Sequence, residues 1–125
     1  MNEESYCAYC RSPRHLLAAG LERDHIFPLS KGGDSHAENL CWACHKCNQH
    51  KAAKLAAVDS ISGEVVPLFH PNLQRWDEHF SFSEGGAMII GTSAIGRATV
   101  QALKMNRPEM QALRFNWQDI GWKPL

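Results

Sequence analysis

Five cysteines fall at spacings that suit metal chemistry. Cys7 and Cys10 form one CxxC pair. Cys41, Cys44 and Cys47 follow at three-residue intervals, so either 41/44 or 44/47 completes a second pair. Two such knuckles offer four thiolates, the closed tetrahedral donor set of structural zinc. In a reducing compartment, paired cysteines read as metal ligands or redox groups rather than as a disulfide framework. A thioredoxin-like redox pair needs a βαβ setting, and none is legible. His45, between two cysteines, is an alternative nitrogen ligand. Thirty-three residues separate Cys10 from Cys44, more than an ordinary zinc finger uses, so the insert builds something of its own.

That insert opens a second set of chemical groups. Asp24 and His25 are adjacent, and Asn48 directly follows the last cysteine. A carboxylate and an amide oxygen suit a hard divalent cation. A neutral imidazole, with an unperturbed pKa of about 6.5, suits a general base near neutral pH. Neighbours on a strand point to opposite sides, which gives Asp24 and His25 different surroundings. An Asp-His dipeptide alone is an ordinary surface pair. Its place between two cysteine knuckles and ahead of a second oxygen donor gives it weight.

The elements that must position these groups follow from local signals. Leu21 to Leu29 reads as a short strand ended by Pro28, which cannot continue a ladder. Lys31-Gly32-Gly33-Asp34 is a turn signal, and Asn39 to Trp42 a second short strand. From His45 to Val58 the run HKCNQHKAAKLAAV is Ala-rich and free of Gly and Pro. It predicts a helix with Asn48, Lys51, Ala52 and Leu55 along one face. The order is strand, loop, strand, helix, with a knuckle at the helix start.

Composition bounds the rest. The chain has 125 residues, with 44% hydrophobic and 21% charged residues, which excludes intrinsic disorder. No apolar run approaches the ~20 residues that span a bilayer. The opening MNEESYCAYC is acidic and polar, unlike a signal peptide, so a cytoplasmic protein with no membrane role is expected. Thirteen Lys and Arg balance thirteen Asp and Glu. Neither half is a basic block, which excludes a protein that coats nucleic acid by bulk charge. Any such binding must be local, weak and salt-sensitive.

The run Asp24-His25-Ile26-x-Pro28-Leu29-Ser30-x-Gly32-Gly33, then Asn39-Leu40, then Cys44-x-x-Cys47-Asn48-x-x-Lys51 resembles the HNH endonucleases of the ββα-metal superfamily. The resemblance implies an α+β fold with a ββα-metal core stapled by a structural zinc on four cysteines. It makes His25 the general base and Asp24 and Asn48 the holders of a catalytic divalent cation, Mg2+ or Mn2+. Asn39 becomes the residue that ties the loop and orients His25. Cys7, Cys10, Cys44 and Cys47 become the zinc ligands, leaving Cys41 as a core or lightly exposed thiol. The third motif position is often His and here is Asn48, which the family also accepts.

The activity implied is hydrolysis of DNA phosphodiesters to 5′-phosphate and 3′-hydroxyl ends. One centre cuts one strand, so double-strand cleavage would call for a homodimer or two events. Lys51 and His50 are candidate phosphate contacts. The rival reading is a zinc-stabilised DNA-binding module with a silent or complex-dependent centre. Intact Asp24, His25, Asn39 and Asn48 favour the enzyme.

Residues 1–57 form the expected nuclease core, and 58–125 a C-terminal extension in the same compact unit. In the extension, 58–64 reads as a turn and 65–71 as an extended segment. Residues 76–82 and 87–91 read as a hairpin turning at Glu84-Gly85-Gly86. Thr92 or Ser93 caps a helix running to about Met105. Pro108-Glu109 opens a second helix that buries Met110, Leu113 and Trp117. Arg97, Gln101 and Lys104 share a polar stripe, a candidate DNA contact. Trp76, Trp117 and Trp122 read as core. Pro67-Leu68-Phe69-His70-Pro71, Trp76-x-x-His79-Phe80, Gly91-Thr92 and Gly96 to Val100 resemble the C-terminal extension of a bacterial and cyanobacterial subgroup of HNH proteins.

Overall fold

Each strand of the first hairpin stops where its sequence removes the means to continue it. In the computed structural model, which describes residues 5–124, β1 (Glu22–His25) ends just before the turn at Pro28, and β2 (Leu40–Ala43) ends at Cys44. The first four residues of the acidic opening segment, and Leu125, lie outside the described residues. The strands pair antiparallel, Glu22 with Ala43 through His25 with Leu40. Cys44 caps α1 (His45–Lys51), its sulfur accepting the Cys47 N–H at 3.4 Å. This is the strand, loop, strand, helix order expected, in an α+β protein.

The helix is shorter than its sequence predicts. Ala52 takes φ +47° and ends α1, and Ala56–Val58 become β3, paired antiparallel with β4 (Val65–Pro67). Alanine favours a helix by only tenths of a kcal/mol per residue over most others. Ladder bonds and the packing of β3 against the C-terminal helices outweigh that preference here.

The second half follows its turn chemistry closely. β5 (Phe80–Phe82) and β6 (Ile89–Gly91) form the hairpin, shortened because Trp76–Glu78 take a 3-10 turn. Ser93 rather than Thr92 caps α2 (Ala94–Ala102), accepting the Gly96 N–H at 3.0 Å. Pro108 sits in the first turn of α3 (Pro108–Gln118). The buried face of α3 is Met110, Arg114 and Trp117, whereas Leu113 is 39% exposed. The polar Arg114 is accepted there because the carbonyls of Ala87 and Met105 and the Asn106 side chain receive N–H groups of its two terminal nitrogens.

Buried residues of both halves meet in one core, from Cys7, Tyr9 and Cys47 to Trp76, Phe80 and Met105. Trp76 joins them directly: its ring lies 5.1 Å from Phe80 and its indole N–H donates to the Tyr9 carbonyl at 2.7 Å. Asn72 adds two bonds from its amide to the carbonyls of Glu38 and Leu40. No helix among the described residues is long and apolar enough to cross a membrane.

Candidate active site and zinc cluster

Cys7, Cys10, Cys44 and Cys47 are all buried, and their sulfur atoms lie within 4.8 Å of one another. Four thiolates about 2.3 Å from one zinc ion stand about 3.8 Å apart at tetrahedral angles. The Cys10 and Cys44 sulfurs are 3.7 Å apart, so the donors fit that ion. In each knuckle the second cysteine's backbone N–H points at the first sulfur, Cys10 at Cys7 and Cys47 at Cys44. As bare thiols the set resists full ionisation. Burial pushes Cys7 up, and the neighbouring thiols push Cys47 up, while hydrogen bonds from Cys44, Cys47 and Cys7 hold Cys10 down. One negative charge is accommodated, and a divalent cation is what would let the others form. Cys47, not Cys41, completes the group of four, so 44/47 is the pair placed beside Cys7 and Cys10. Among the described residues this is the one group of three or more His, Cys, Asp or Glu side chains arranged for a metal.

Cys41 lies apart from that cluster. It is a core thiol, pointing at the Tyr9 hydroxyl and the Asp24 carboxylate, each 3.8 Å away. Burial, then the Asp24 charge, raises its pKa to about 12, so it stays protonated.

Asp24 sits on the hairpin face turned toward α1, and it is only 4% exposed. Its Oδ2 accepts the Tyr9 hydroxyl at 2.7 Å and lies 3.4 Å from the Lys51 ammonium. Burial holds the Tyr9 proton firmly, which keeps that hydroxyl a donor. Lys51, expected at the phosphate backbone, is instead 2% exposed. Besides meeting Asp24, it donates to the carbonyls of His25 and Ile26 at 3.3 and 3.1 Å. Its four-carbon stem carries the charge inward, where it neutralises the carboxylate and fixes the end of β1.

His25 lies on the other face of β1, beside Arg23, and is half-buried. Its Nε2 is 3.1 Å from the Ser35 hydroxyl. The chain after it is clamped by Asn39. The Asn39 side chain accepts the Phe27 N–H at 2.8 Å and donates to the carbonyls of Phe27 and Asp34 at 3.0 and 2.7 Å. The Asn39 carbonyl also accepts the Ile26 N–H. Gly33 closes the loop against this clamp, and a Cβ there would collide with the Phe27 carbonyl. Asn39 thus ties the 27–39 loop together and sets Ser35 against His25.

Asn48 turns to a residue the sequence reading did not single out. Its amide donates to Glu22 at 2.7 Å, and Glu22 also lies 3.4 Å from His45. The pattern held a signal for Glu22, since it shares the strand face of Asp24 two residues on. Ser35 and Tyr9 carried no such signal, because loop closure and core packing place them.

The expected DNA-facing residues divide. Arg97 is committed elsewhere, in a two-point pair with Asp59 at 2.7 and 3.0 Å. The guanidinium holds the Asp59 carboxyl well below the usual carboxylate range. Gln101 and Lys104 are exposed and His50 half-buried. Burial lowers the proton affinity of His50, and the charges of Arg107, Lys104, Lys46 and Lys54 lower it further. Lys46 and Lys54 flank His50 at four-residue spacing, a regularity visible in the sequence.

A zinc-stapled hairpin and helix, with a histidine held at the end of the first strand by an asparagine-tied loop, defines a class. Residues 7–58 match the family model described as "HNH endonuclease". The chain's similarity extends to the CRISPR-associated endonuclease Cas9 of Corynebacterium diphtheriae, 38% identical over 75 residues. That match takes in 56% of this chain and 7% of the length of the relative. No solved structure matches the chain significantly.

Proposed function

We propose that the protein is a divalent-metal-dependent endonuclease that hydrolyses DNA phosphodiester bonds. The observation that carries this reading is the Asn39 clamp, which ties down the loop that follows the strand end bearing His25. Mobile surface histidines need no such loop.

His25 would take the proton of the attacking water at one ring nitrogen while Ser35 fixes the ring through Nε2. Asp24 and Asn48 would hold the divalent cation, Mg2+ or Mn2+. Among the described residues every contact to the Asp24 carboxylate engages Oδ2, and the Asn48 side-chain contact engages Nδ2, which would leave Oδ1 of each for a metal. When bound, such a cation stabilises the charge that grows on the phosphate and leaving oxygen. Expected products carry 5′-phosphate and 3′-hydroxyl ends. Lys104, Gln101 and His50 are the remaining candidates for backbone contacts. We further propose that residues 1–57 and 58–125 work as one unit, that double-strand cuts need two copies, and that the five free thiols reflect a reducing cytoplasm.

One feature favours a second reading, a DNA-binding module with a silent centre. Asp24 is buried against a lysine, and that cation competes with a metal for the carboxylate. Plasmid nicking separates the two. Supercoiled DNA is incubated with the zinc-loaded protein plus Mg2+ or Mn2+, alongside His25→Ala. The nuclease reading expects nicks that T4 ligase reseals, and a loss of about 10²–10⁴-fold in the variant. Equal nicking by the variant, or none by either, overturns it.

A further inference from the structure

The first hairpin has two faces, and Glu22 and Asp24 lie on the one turned to α1. The other face carries Arg23 and His25 on β1, with Trp42 and Leu40 directly across on β2. The C-terminal half stands opposite this face and leaves a cleft of about 1090 Å3. One wall is β2 and the first cysteine knuckle. The other is the segment around Asn72 and Trp76, closed at its end by Trp122 and Lys123.

The lining has an unusual chemistry. Four part-exposed rings, Tyr6, Trp42, Phe82 and Trp122, and four basic residues line it with two acidic ones, and one of those acids, Asp77, is already paired with Arg75 at 3.3 Å. Arg11, Arg23 and Lys123 remain against Glu38, a surplus of two positive charges. Two of these heads lie over aromatic rings. Arg11 lies 4.6 Å from the Tyr6 ring centre and 5.0 Å from that of Trp76, and Arg23 lies 4.8 Å from that of Trp42. A guanidinium docked on a ring loses little freedom on binding and keeps its edge donors for an anion. The Arg11 Nε is buried and has no hydrogen-bond partner.

These features select the occupant. A purely apolar ligand would leave the guanidiniums idle, and a cation would be repelled. Compact ligands fill pockets of roughly 300–1,000 Å3, so this open cleft suits a chain. A chain with negative charge along its length and flat groups along one side matches arginine edges interleaved with rings. In a duplex those flat groups are stacked away from side chains.

We propose that this cleft is a binding groove for single-stranded DNA, running along the sheet face that carries His25. The inference deepens the nuclease reading, on which it rests for the reason a strand would be led there. It gives the C-terminal half a task, supplying the second wall. The sequence hid this groove because Arg11, Arg23 and Trp42 lie far along the chain from Trp76 and Trp122.

The test is fluorescence anisotropy with the full zinc-loaded chain, without Mg2+ or Mn2+, on labelled oligo(dT), a blunt duplex of equal length and oligo(rU). The expected result is binding of oligo(dT) at least about tenfold tighter than of duplex. Arg23→Glu, at an exposed position, should weaken it about tenfold, and Lys123→Glu about threefold. Each variant should flatten the plot of log K against log salt by about one unit. Thermal melting checks that both variants fold. Unchanged oligo(dT) affinity in Arg23→Glu, duplex bound as tightly as single strand, or preference for oligo(rU) overturns the proposal. Nicking that persists while Arg23 proves irrelevant sinks the groove alone. Arg23-dependent oligo(dT) binding with no nicking sinks the nuclease reading alone.

Discussion

The two halves of the molecule bury different things. Residues 7–58 place five cysteines, a lysine, a carboxylate and a tyrosine hydroxyl in positions where a core usually holds aliphatic chains. Residues 59–124 bury Trp76, Phe80, Ile89, Leu103, Met105 and Trp117. The first half has spent its interior on chemistry, and so small a segment cannot also supply a sufficient apolar core. It offers a four-cysteine cluster suited to a metal, and it leans on its neighbour. The second half is held by burial. The difference explains why the aromatic cluster reaches across to the Tyr9 carbonyl, since the half with spare apolar surface props the half without it.

Removing the metal is the strongest way to break that arrangement. Zinc contributes roughly 10–16 kcal/mol to folding of zinc-finger peptides, more than the stability of most domains. Chelation of zinc, or Cys44→Ser, is expected to unfold the protein. Near-ultraviolet circular dichroism of the Trp76–Phe80 cluster should collapse together with the far-ultraviolet signal. An aromatic signal that survives zinc loss would mean that the second half stands alone, and the contrast drawn above would then describe two independent domains.

The next effect comes from the buried ion pair. Lys51→Met leaves the Asp24 charge inside with only a tyrosine hydroxyl and a thiol, at a cost of about 3–5 kcal/mol. The double variant Asp24→Asn, Lys51→Met should recover much of that loss in urea denaturation. If both single variants and the double lose the same stability, the pair is not what holds α1 to the hairpin.

Trp76→Phe is expected to cost less, about 1–3 kcal/mol, through a small cavity and the lost bond to Tyr9. Its sign of success is a loss that disappears when the chelated forms are compared. A loss confined to the β5–β6 hairpin in hydrogen exchange would count against a propping role.

Much of this was legible, and the exceptions have physical causes. Whereas the Asn39 clamp was implied by the family resemblance alone, the knuckles and the hairpin follow from residues close in sequence, where Pro28, the glycines and the cysteine spacing restrict the backbone directly. The Ser93 cap and Pro108 start were legible for the same reason. Lys51 was misplaced because periodicity shows that it shares a helix face with Asn48, but not which face meets the hairpin. Arg97 was misplaced because its partner Asp59 lies in a turn 38 residues earlier. Arg114 replaced Leu113 in the core because carbonyls brought by the β5–β6 turn and the α2–α3 link accept its donors, and no hydropathy pattern records that. The helix predicted to Val58 ended at Lys51 because β4 arrived as a pairing partner.

The smallest effect tests the seam itself. Asp59, in the turn after β3, binds Arg97 of α2 and also accepts the backbone N–H groups of Ile61 and Ser62. The guanidinium lowers the folded-state pKa of Asp59 below the value of about 3.9 expected in the unfolded chain. A depressed carboxylate stabilises the fold fully above the unfolded pKa and loses that contribution as pH falls below it. Asp59→Asn should therefore melt a few degrees below the parent at pH 7. The gap should narrow steadily as the pH is lowered from 4 toward 2, and Arg97→Gln should show the same convergence. A gap that stays constant over that range would assign the seam to shape and uncharged hydrogen bonds. The charge on Arg97 would then be free to account for something else, and the polar stripe along α2 would regain its claim on DNA.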